Sequence, residues 1–325
     1  MKRAVSILAI LGLVVCAAAV FPPQARSAEL IPFITPPAGG GAYIIGAGVI
    51  TVTNKYISDP KLVHEAATGT MDIVRRMQAR EAAKKDAFAI FGTPDAWNAY
   101  KGNNEYKGKP LTSLRMVVAV NGTDIYLAVP TNSPIKTYAD VKGKRIGMGG
   151  PGSTVANTAQ FLLDQYGVTK KDFKPYYYTY KETVEGVQDG SLDGGFIAGG
   201  YPISAYSELA TQKGVRIVPV DDAMLKKIIA SHPYYYKNVV KAKSYKGLDQ
   251  DTPIMGFAGG LWALSSASND YVYRMIKNLF DHKDEFYAIH SAAKEITHEN
   301  ALVGLSVPLH PGAEKYYKET GLLKK

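Results

Sequence analysis

Four short loops of the sequence combine glycine with hydroxyl-bearing or aromatic residues, and each lies between a predicted strand and a predicted helix. They span residues 39–43, 68–71, 149–154 and 199–202. The first backbone N–H groups of a helix have no acceptor within the helix and carry partial positive charge. Glycine lets a ligand approach that backbone, and a Ser or Thr hydroxyl adds a donor. The loops therefore predict a site for an anion such as a carboxylate, with simple tight turns as the alternative.

Other kinds of site chemistry lack their sequence patterns. The loop at 149–154 is not followed by the Gly-Lys-Thr of a nucleotide-binding loop, and no Gly-x-Ser-x-Gly nucleophile elbow occurs. The neighbouring carboxylates Asp221 and Asp222 are typical of a helix start, and His282, His290 and His298 recur every eight residues, a spacing that does not share one helix face. We therefore expect no catalytic residue, no metal site and no cofactor. A secreted enzyme on a two-lobed α/β scaffold remains the rival class.

The elements that would position the loops alternate along the chain. Apolar segments predict strands at 30–35, 61–67, 87–91, 114–120, 125–129, 146–148, 174–180, 194–198 and 215–220, with Asn121–Gly122 as a hairpin turn between the fourth and the fifth. Helical patterns separate most of them. This order predicts an α/β fold of mostly parallel sheets flanked by helices, with a ligand cleft between two lobes at the carboxyl ends of strands.

The chain length fits two α/β lobes better than one. We predict lobe I at residues 29–122 and 252–325 and lobe II at 123–251, with the glycine-rich apolar stretch 253–264 crossing back into lobe I. The runs Tyr176 to Tyr178 and Tyr234 to Tyr236 could line the cleft, but core or surface packing is the more usual role of such runs.

The N-terminus has the layout of a secretory signal peptide at residues 1–28. Lys2 and Arg3 precede an apolar run, which ends at Pro22 and Pro23. The only cysteine, Cys16, lies inside the run and lacks the small preceding residue of a lipid-attachment site, so we expect cleavage rather than lipid anchoring. The mature chain would then be periplasmic and contain no thiol. The formal net charge of +9 comes from scattered lysines, not from an arginine-rich arm, so nucleic acid is not an expected partner.

Several short motifs occur in the order found in TAXI receptors, the solute-binding subunits of one branch of the TRAP transporters. They are the Gly-rich loop with Tyr43, the Thr-Gly turn at 68–71, the Phe-x-x-x-Asp strand exit at 91–95, the Lys-Gly-Lys-Arg and Pro-Gly-Ser segments at 141–153, the Gly-x-Pro turn at 199–202 and the tail at 307–317. The mature chain resembles this family over nearly its whole length.

The resemblance implies a two-lobed periplasmic binding protein of type II-like fold that acts as a monomer. It would capture a small organic acid or amino acid, such as glutamate, glutamine or a 2-oxoglutarate-like acid, and deliver it to a sodium-coupled TRAP permease with a fused membrane subunit. An aromatic or other non-dicarboxylate solute is the alternative. The candidate ligand contacts are Gly40, Gly41, Tyr43, Thr70, Met71, Thr93, Gly152, Ser153, Thr154, Gly200 and Tyr201.

This chain departs from the family pattern at two places. Asp72 puts a negative charge beside the second loop, where the family commonly has Asn nearby, and Tyr43 is followed by two isoleucines in place of Tyr-Pro. Asp72 either faces the cleft, which would favour a less acidic or amino-bearing ligand, or lies on the solvent side of the first helical turn. The sequence leaves the identity of the solute open.

Overall fold

The computed structural model describes residues 30–38, 41–289 and 291–324. The predicted signal peptide, Cys16, Gly40 and His290 lie outside the described residues. Among the described residues, no helix combines the length and the apolar character that crossing a membrane requires.

Ten strands belong to the described part of the chain. They are β1 (Leu30–Thr35), β2 (Lys61–Ala66), β3 (Phe88–Gly92), β4 (Leu114–Pro130), β5 (Arg145–Gly147), β6 (Lys174–Tyr176), β7 (Gly194–Gly199), β8 (Val215–Ile217), β9 (Tyr235–Val240) and β10 (Thr252–Leu264). β1, β3 and β7 are buried over nearly their whole length, as expected for strands covered by helices on both faces.

The α-helices of the same part of the chain follow most of the strands. They are α1 (Gly41–Tyr56), α2 (Thr70–Ala82), α3 (Thr93–Lys101), α4 (Thr154–Gln165), α5 (Tyr180–Asp189), α6 (Ser204–Lys213), α7 (Asp222–Ser231), α8 (Asn269–Asp281), α9 (Lys283–Ile289) and α10 (Pro311–Glu319). Short 3-10 helices occupy Asn104–Tyr106, Tyr138–Val141 and Ser291–Glu295. As predicted, the Asp221–Asp222 pair starts a helix, because the Asp221 carboxylate accepts the Met224 N–H and caps α7.

The strands form one mixed sheet in the order β2-β1-β3-β10-β4-β7-β5-β6, with β8 paired to β4 and β9 paired to β10. Neighbours are parallel towards both ends of the sheet, between β2, β1 and β3 and between β7, β5 and β6. The central pairs, which involve β4 and β10, are antiparallel. The result is the predicted α/β fold with helices flanking the sheet.

The hairpin predicted at Asn121–Gly122 is wrong, because both residues lie inside the single strand β4. Their partners are Gly259 and Ala258 of β10, and a register shift follows between Gly259 and Gly260. An Asn-Gly pair favours a tight turn only where the two flanking segments pair with each other. Here β10 runs alongside β4 on one edge and β7 pairs on the other, so the strand continues straight through.

The apolar core falls into two groups of clusters. Two clusters draw their buried residues from 31–120 and 258–317, and two others draw theirs from 125–257. We call the parts of the molecule around these groups lobe I and lobe II. β4 and β10 are the long strands that contribute to both, so they form the connection between the lobes. The exact boundaries predicted from the sequence remain a prediction.

The C-terminal tail is built into lobe I through His310. Its ring is fully buried, and Nδ1 accepts the Gly312 N–H at the start of α10 while Nε2 bonds the Ala267 carbonyl at 3.1 Å. These bonds fix the turn into α10. Burial lowers the pKa of the imidazole to about 4, so the ring is neutral near pH 7. Tyr316 and Tyr317 of α10 are buried in the core of lobe I, whereas Thr320 is exposed.

Candidate functional site

A cavity of about 380 Å³ lies between the two lobes, and four helices begin at it. Their first residues, Gly41 of α1, Thr70 of α2, Thr154 of α4 and Tyr180 of α5, all line the cavity. The remaining lining residues described are Pro36, Ala42, Ile90, Phe91, Gly92, Gly122, Thr123, Ser153, Val155, Ala198, Gly199, Gly200, Phe257, Gly259 and Glu295. The volume is in the range of small-molecule sites.

The start of α4 shows how the sequence builds one wall. The Ser153 hydroxyl accepts the Ala156 N–H at 3.1 Å and donates to the Gly150 carbonyl at 2.7 Å, so it serves as the helix N-cap. Thr154 and Val155 line the cavity, and their backbone N–H groups precede the first intrahelical hydrogen bond. The donors at this wall are therefore mainly backbone groups, since the Thr154 hydroxyl hydrogen-bonds the Asp95 carboxyl and lies 3.1 Å from the Thr70 hydroxyl.

Beside the cavity, the loop before α2 touches the loop before α4. The hydroxyl oxygens of Thr70 and Thr154 are 3.1 Å apart, and the Met71 N–H donates to the Gly152 carbonyl at 3.4 Å. Gly69 is packed so closely that an added Cβ would lie 3.2 Å from the Pro151 carbonyl oxygen. Lobes I and II thus meet at one edge of the cavity through small residues.

Charge at the cavity is sparse. Of the described residues that line it, only Glu295 has a charged side chain, and its Oε2 accepts the Gly122 N–H at 2.9 Å. No lysine or arginine is among those lining residues. An anion bound here would be held by helix starts and hydroxyl groups rather than by a cationic side chain.

Asp72 does not line this cavity. Its carboxylate forms ion pairs with Arg75 at 2.7 Å and with Arg76 at 2.9 Å, and it accepts the Thr68 N–H. The hydrogen bond from Arg75 is the main reason why the pKa of Asp72 lies well below its usual range. The charge that departs from the family pattern is therefore compensated inside α2.

The structure brings five of the predicted site residues together at the cavity, namely Gly41, Thr70, Ser153, Thr154 and Gly200. Gly40 lies outside the described residues, and the remaining five are not among the lining residues. Tyr43 packs its ring 4.4 Å from that of His64, Met71 is 45% exposed and Thr93 is fully buried. Gly152 contacts Met71, and Tyr201 packs against a core cluster of lobe II. Contact of any of these residues with a ligand remains a prediction.

Several lining residues were not predicted from the sequence. Gly122 and Thr123 come from the middle of β4, Phe257 and Gly259 from the middle of β10, and Glu295 from a 3-10 helix. The glycine-rich character of 253–264 was the available signal for β10, because glycines in a strand leave room for a close neighbour. Glu295 had no local signal.

Among the described residues, no group of three or more His, Cys, Asp or Glu side chains could hold a metal ion. His298 is half-buried, because its ring stacks 4.1 Å from that of Phe280 and its Nε2 bonds the Tyr316 hydroxyl at 2.9 Å. Its role is packing in lobe I.

Residues 33–321, most of the chain, match the family model described as the NMT1-like family. The chain belongs to the NMT1-like family. This NMT1-like chain is also 34% identical over 116 residues to the putative aliphatic sulfonates-binding protein of Escherichia coli strain K12. That alignment covers 34% of each protein, so the chain matches only about a third of the length of this curated relative.

Solved structures with the same fold include two solute-binding proteins. MatC from Rhodopseudomonas palustris, with bound malate, has a TM-score of 0.52 at 12% identity and covers 91% of this chain and 98% of its own. A TctC solute binding protein from Polaromonas has a TM-score of 0.50 at 15% identity, and the match covers 93% of this chain and 100% of its own. At these identities the likeness shows the fold of the NMT1-like chain: the α/β fold of periplasmic binding proteins.

Proposed function

We propose that this NMT1-like protein is an extracytoplasmic receptor that captures a small organic acid or amino acid. The observation that carries the proposal is the meeting of four helix starts, at Gly41, Thr70, Thr154 and Tyr180, on one cavity between the lobes. Helix N-termini attract anions through unpaired N–H groups and the helix dipole. The solved structure of MatC contains malate, and the Escherichia coli relative is named for aliphatic sulfonates; both are small anions.

Binding would be coupled to a hinge motion between the lobes. We assign residues 29–122 and 252–325 to lobe I and residues 123–251 to lobe II. Among the described residues, β4 and β10 are the strands that contribute core residues to both lobes, so rotation about these strands would open the cavity without disrupting either core. A ligand that contacts both lobes favours the closed state by its additional contacts there.

We infer further that the receptor delivers its solute to a TRAP-type membrane permease. The ordered motifs from the Gly-rich loop at 39–43 to the tail at 307–317 support this partner. A sodium-coupled permease with a fused membrane subunit, a monomeric receptor and a periplasmic location after removal of residues 1–28 belong to the same proposal. The receptor needs no cofactor and no catalytic residue for this function.

The test is ligand binding by protein stripped of bound solute through partial unfolding and refolding. Native mass spectrometry and titration calorimetry would be applied to a panel of amino acids, C4–C6 dicarboxylates, aromatic acids and alkanesulfonates. We expect at least one of these anions to bind, and a Ser153→Val/Thr154→Val double variant to bind it at least thirtyfold more weakly. The variant loses a hydroxyl donor and places methyl groups at the start of α4.

The matched control is Ser268→Val, which removes the N-cap of α8 outside the cavity. Both proteins lose a helix cap, a loss of about 1 kcal/mol of stability for a typical cap. Only the double variant should lose affinity. Equal affinities in the two proteins would remove the α4 start from the binding site, and turnover of a panel member would replace the receptor with an enzyme.

A further inference from the structure

A second chamber of similar size shares part of its lining with the cavity. This chamber also measures about 380 Å³ and is lined by Ala119, Gly122, Tyr236, Ala258, Glu295, Asn300 and Val303. Gly122 and Glu295 line both spaces, and we call these two residues the junction. The first chamber is defined by helix starts, whereas the second has mostly apolar walls from β4, β10 and Val303.

The junction carries a negative charge that no cation compensates within the described residues. Glu295 is exposed, its Oε2 accepts the Gly122 N–H, and it takes part in no ion pair among residues 30–38, 41–289 and 291–324. Of the other acids near the helix starts, Asp72 is neutralised by two arginines, and burial raises the pKa of Asp95 to about 6. No described lysine or arginine lines either chamber.

We propose that the two chambers together bind an α-amino acid with an uncharged, mainly apolar side chain. The proposal rests on the proposed receptor function and specifies its ligand. The carboxylate would lie at the helix starts of the first chamber, the ammonium group on Glu295 at the junction, and the side chain in the second chamber. The carboxylate, the ammonium group and the side chain of an α-amino acid are all attached to one carbon atom. That atom would lie at the junction, whose two residues line both chambers.

The same charges disfavour a dicarboxylate. The second carboxylate of glutamate or of a 2-oxoglutarate-like acid would enter a chamber without a lining cation and pass beside Glu295. A carboxylate moved out of water without a partner is unfavourable. An ammonium group is attracted to Glu295, and this attraction strengthens when closure of the lobes removes water from the pair.

The test compares L-leucine with its hydroxy analogue 2-hydroxy-4-methylpentanoate and with glutamate, by titration calorimetry at pH 7.5. The hydroxy acid keeps the carboxylate and the side chain but lacks the ammonium group. We expect wild-type protein to bind leucine at least tenfold more tightly than either competitor. In Glu295→Gln, the amide oxygen can still accept the Gly122 N–H. The ratio of the affinities for leucine and for the hydroxy acid should fall below threefold in this variant.

A second variant tests the chamber itself. Val303 is 39% exposed, so Val303→Trp should leave the fold intact and occupy the second chamber. This variant should weaken the binding of leucine at least tenfold. The affinity for alanine, whose side chain hardly enters the chamber, should change less than threefold.

Equal binding of leucine and the hydroxy acid to wild-type protein would overturn the role of Glu295. Tighter binding of glutamate than of leucine would overturn the assignment of the second chamber. In both cases a loss of affinity in the Ser153→Val/Thr154→Val variant would leave the receptor function standing. If no acid binds at all, both the receptor and its ligand class fail together.

Discussion

Two buried aspartates of this protein each pair with an asparagine side chain. Asp95 is 1% exposed and accepts hydrogen bonds from the Thr154 side chain and, at 2.9 Å, from the Asn157 side chain, and Asp124 is 5% exposed and accepts two from the Asn238 side chain at 3.0 Å. Burial raises the pKa of each carboxyl to about 6, despite the hydrogen bonds from asparagine. The local chemistry of the two pairs is therefore alike.

The two pairs differ in the elements that they join. Asp95 lies in the first turn of α3 and Asn157 on α4, so this pair bridges lobe I and lobe II; Asn157 also donates to Glu105 at 3.1 Å. Asp124 on β4 and Asn238 on β9 both flank β10, inside the continuous sheet. Opening of the lobes can break the first pair but not the second. The same side-chain pair should therefore act on closure in one place and on stability in the other.

The largest expected effect is the pH dependence that Asp124 gives to folding. Its pKa is about 6 in the folded protein and 3.8 for an ordinary aspartate, so the ionised form is disfavoured by folding. Its contribution to stability is full below the unfolded pKa and is lost as the pH rises through 6. Between pH 4.5 and 7.5 wild-type protein should lose about 2 kcal/mol relative to Asp124→Asn, measured by urea unfolding.

The comparison must be made between these two proteins rather than on wild type alone. His310 has its folded pKa lowered to about 4 and therefore destabilises the protein as the pH falls below its ordinary value, opposite in sign to Asp124. His310 is present in both proteins, so its contribution cancels. Parallel stability curves for the two proteins would show that Asp124 is not perturbed by burial.

The next effect concerns the bridge between the lobes. Asn157→Ala removes the bonds to Asp95 and Glu105, which the open state would lack in any case. The closed state alone is weakened, so we expect the affinity for the solute to fall about tenfold, or about 1.4 kcal/mol. Titration calorimetry measures the affinity, and small-angle scattering with saturating ligand measures closure. A stability loss with unchanged affinity would make this pair purely structural.

The smallest effect is expected at the pair inside the sheet. Asn238→Ala removes the two hydrogen bonds that the Asn238 side chain donates to the Asp124 carboxylate. The free energy of unfolding should fall by about 1 kcal/mol. The affinity should stay within twofold of wild type, because both states of the hinge contain this pair. If Asn238→Ala weakened binding as much as Asn157→Ala does, the distinction between the two pairs would not hold.

Local patterns predicted the parts of the site that depend on local backbone structure. The loop at 149–154 was predicted as a helix start, and Ser153 indeed caps α4. Tyr43 and Tyr201 were carried over as ligand contacts from the resemblance, and that contact stays a prediction; in the structure Tyr43 packs against His64 and Tyr201 against a core cluster. Side-chain direction at a loop end depends on neighbours distant in sequence, which a motif does not contain.

The sequence by itself determined where helices begin, which loops contain glycine and hydroxyl groups, and that strands and helices alternate. These features follow from capping, turn and apolar-periodicity preferences, which act over a few residues. The tertiary structure alone decided that Asn121–Gly122 continues a strand, because both residues pair with Gly259 and Ala258 of β10. It also brought Glu295 to Gly122, at the junction of the two chambers. Such contacts join residues more than a hundred positions apart, where pairing of whole strands outweighs the preference of any short segment.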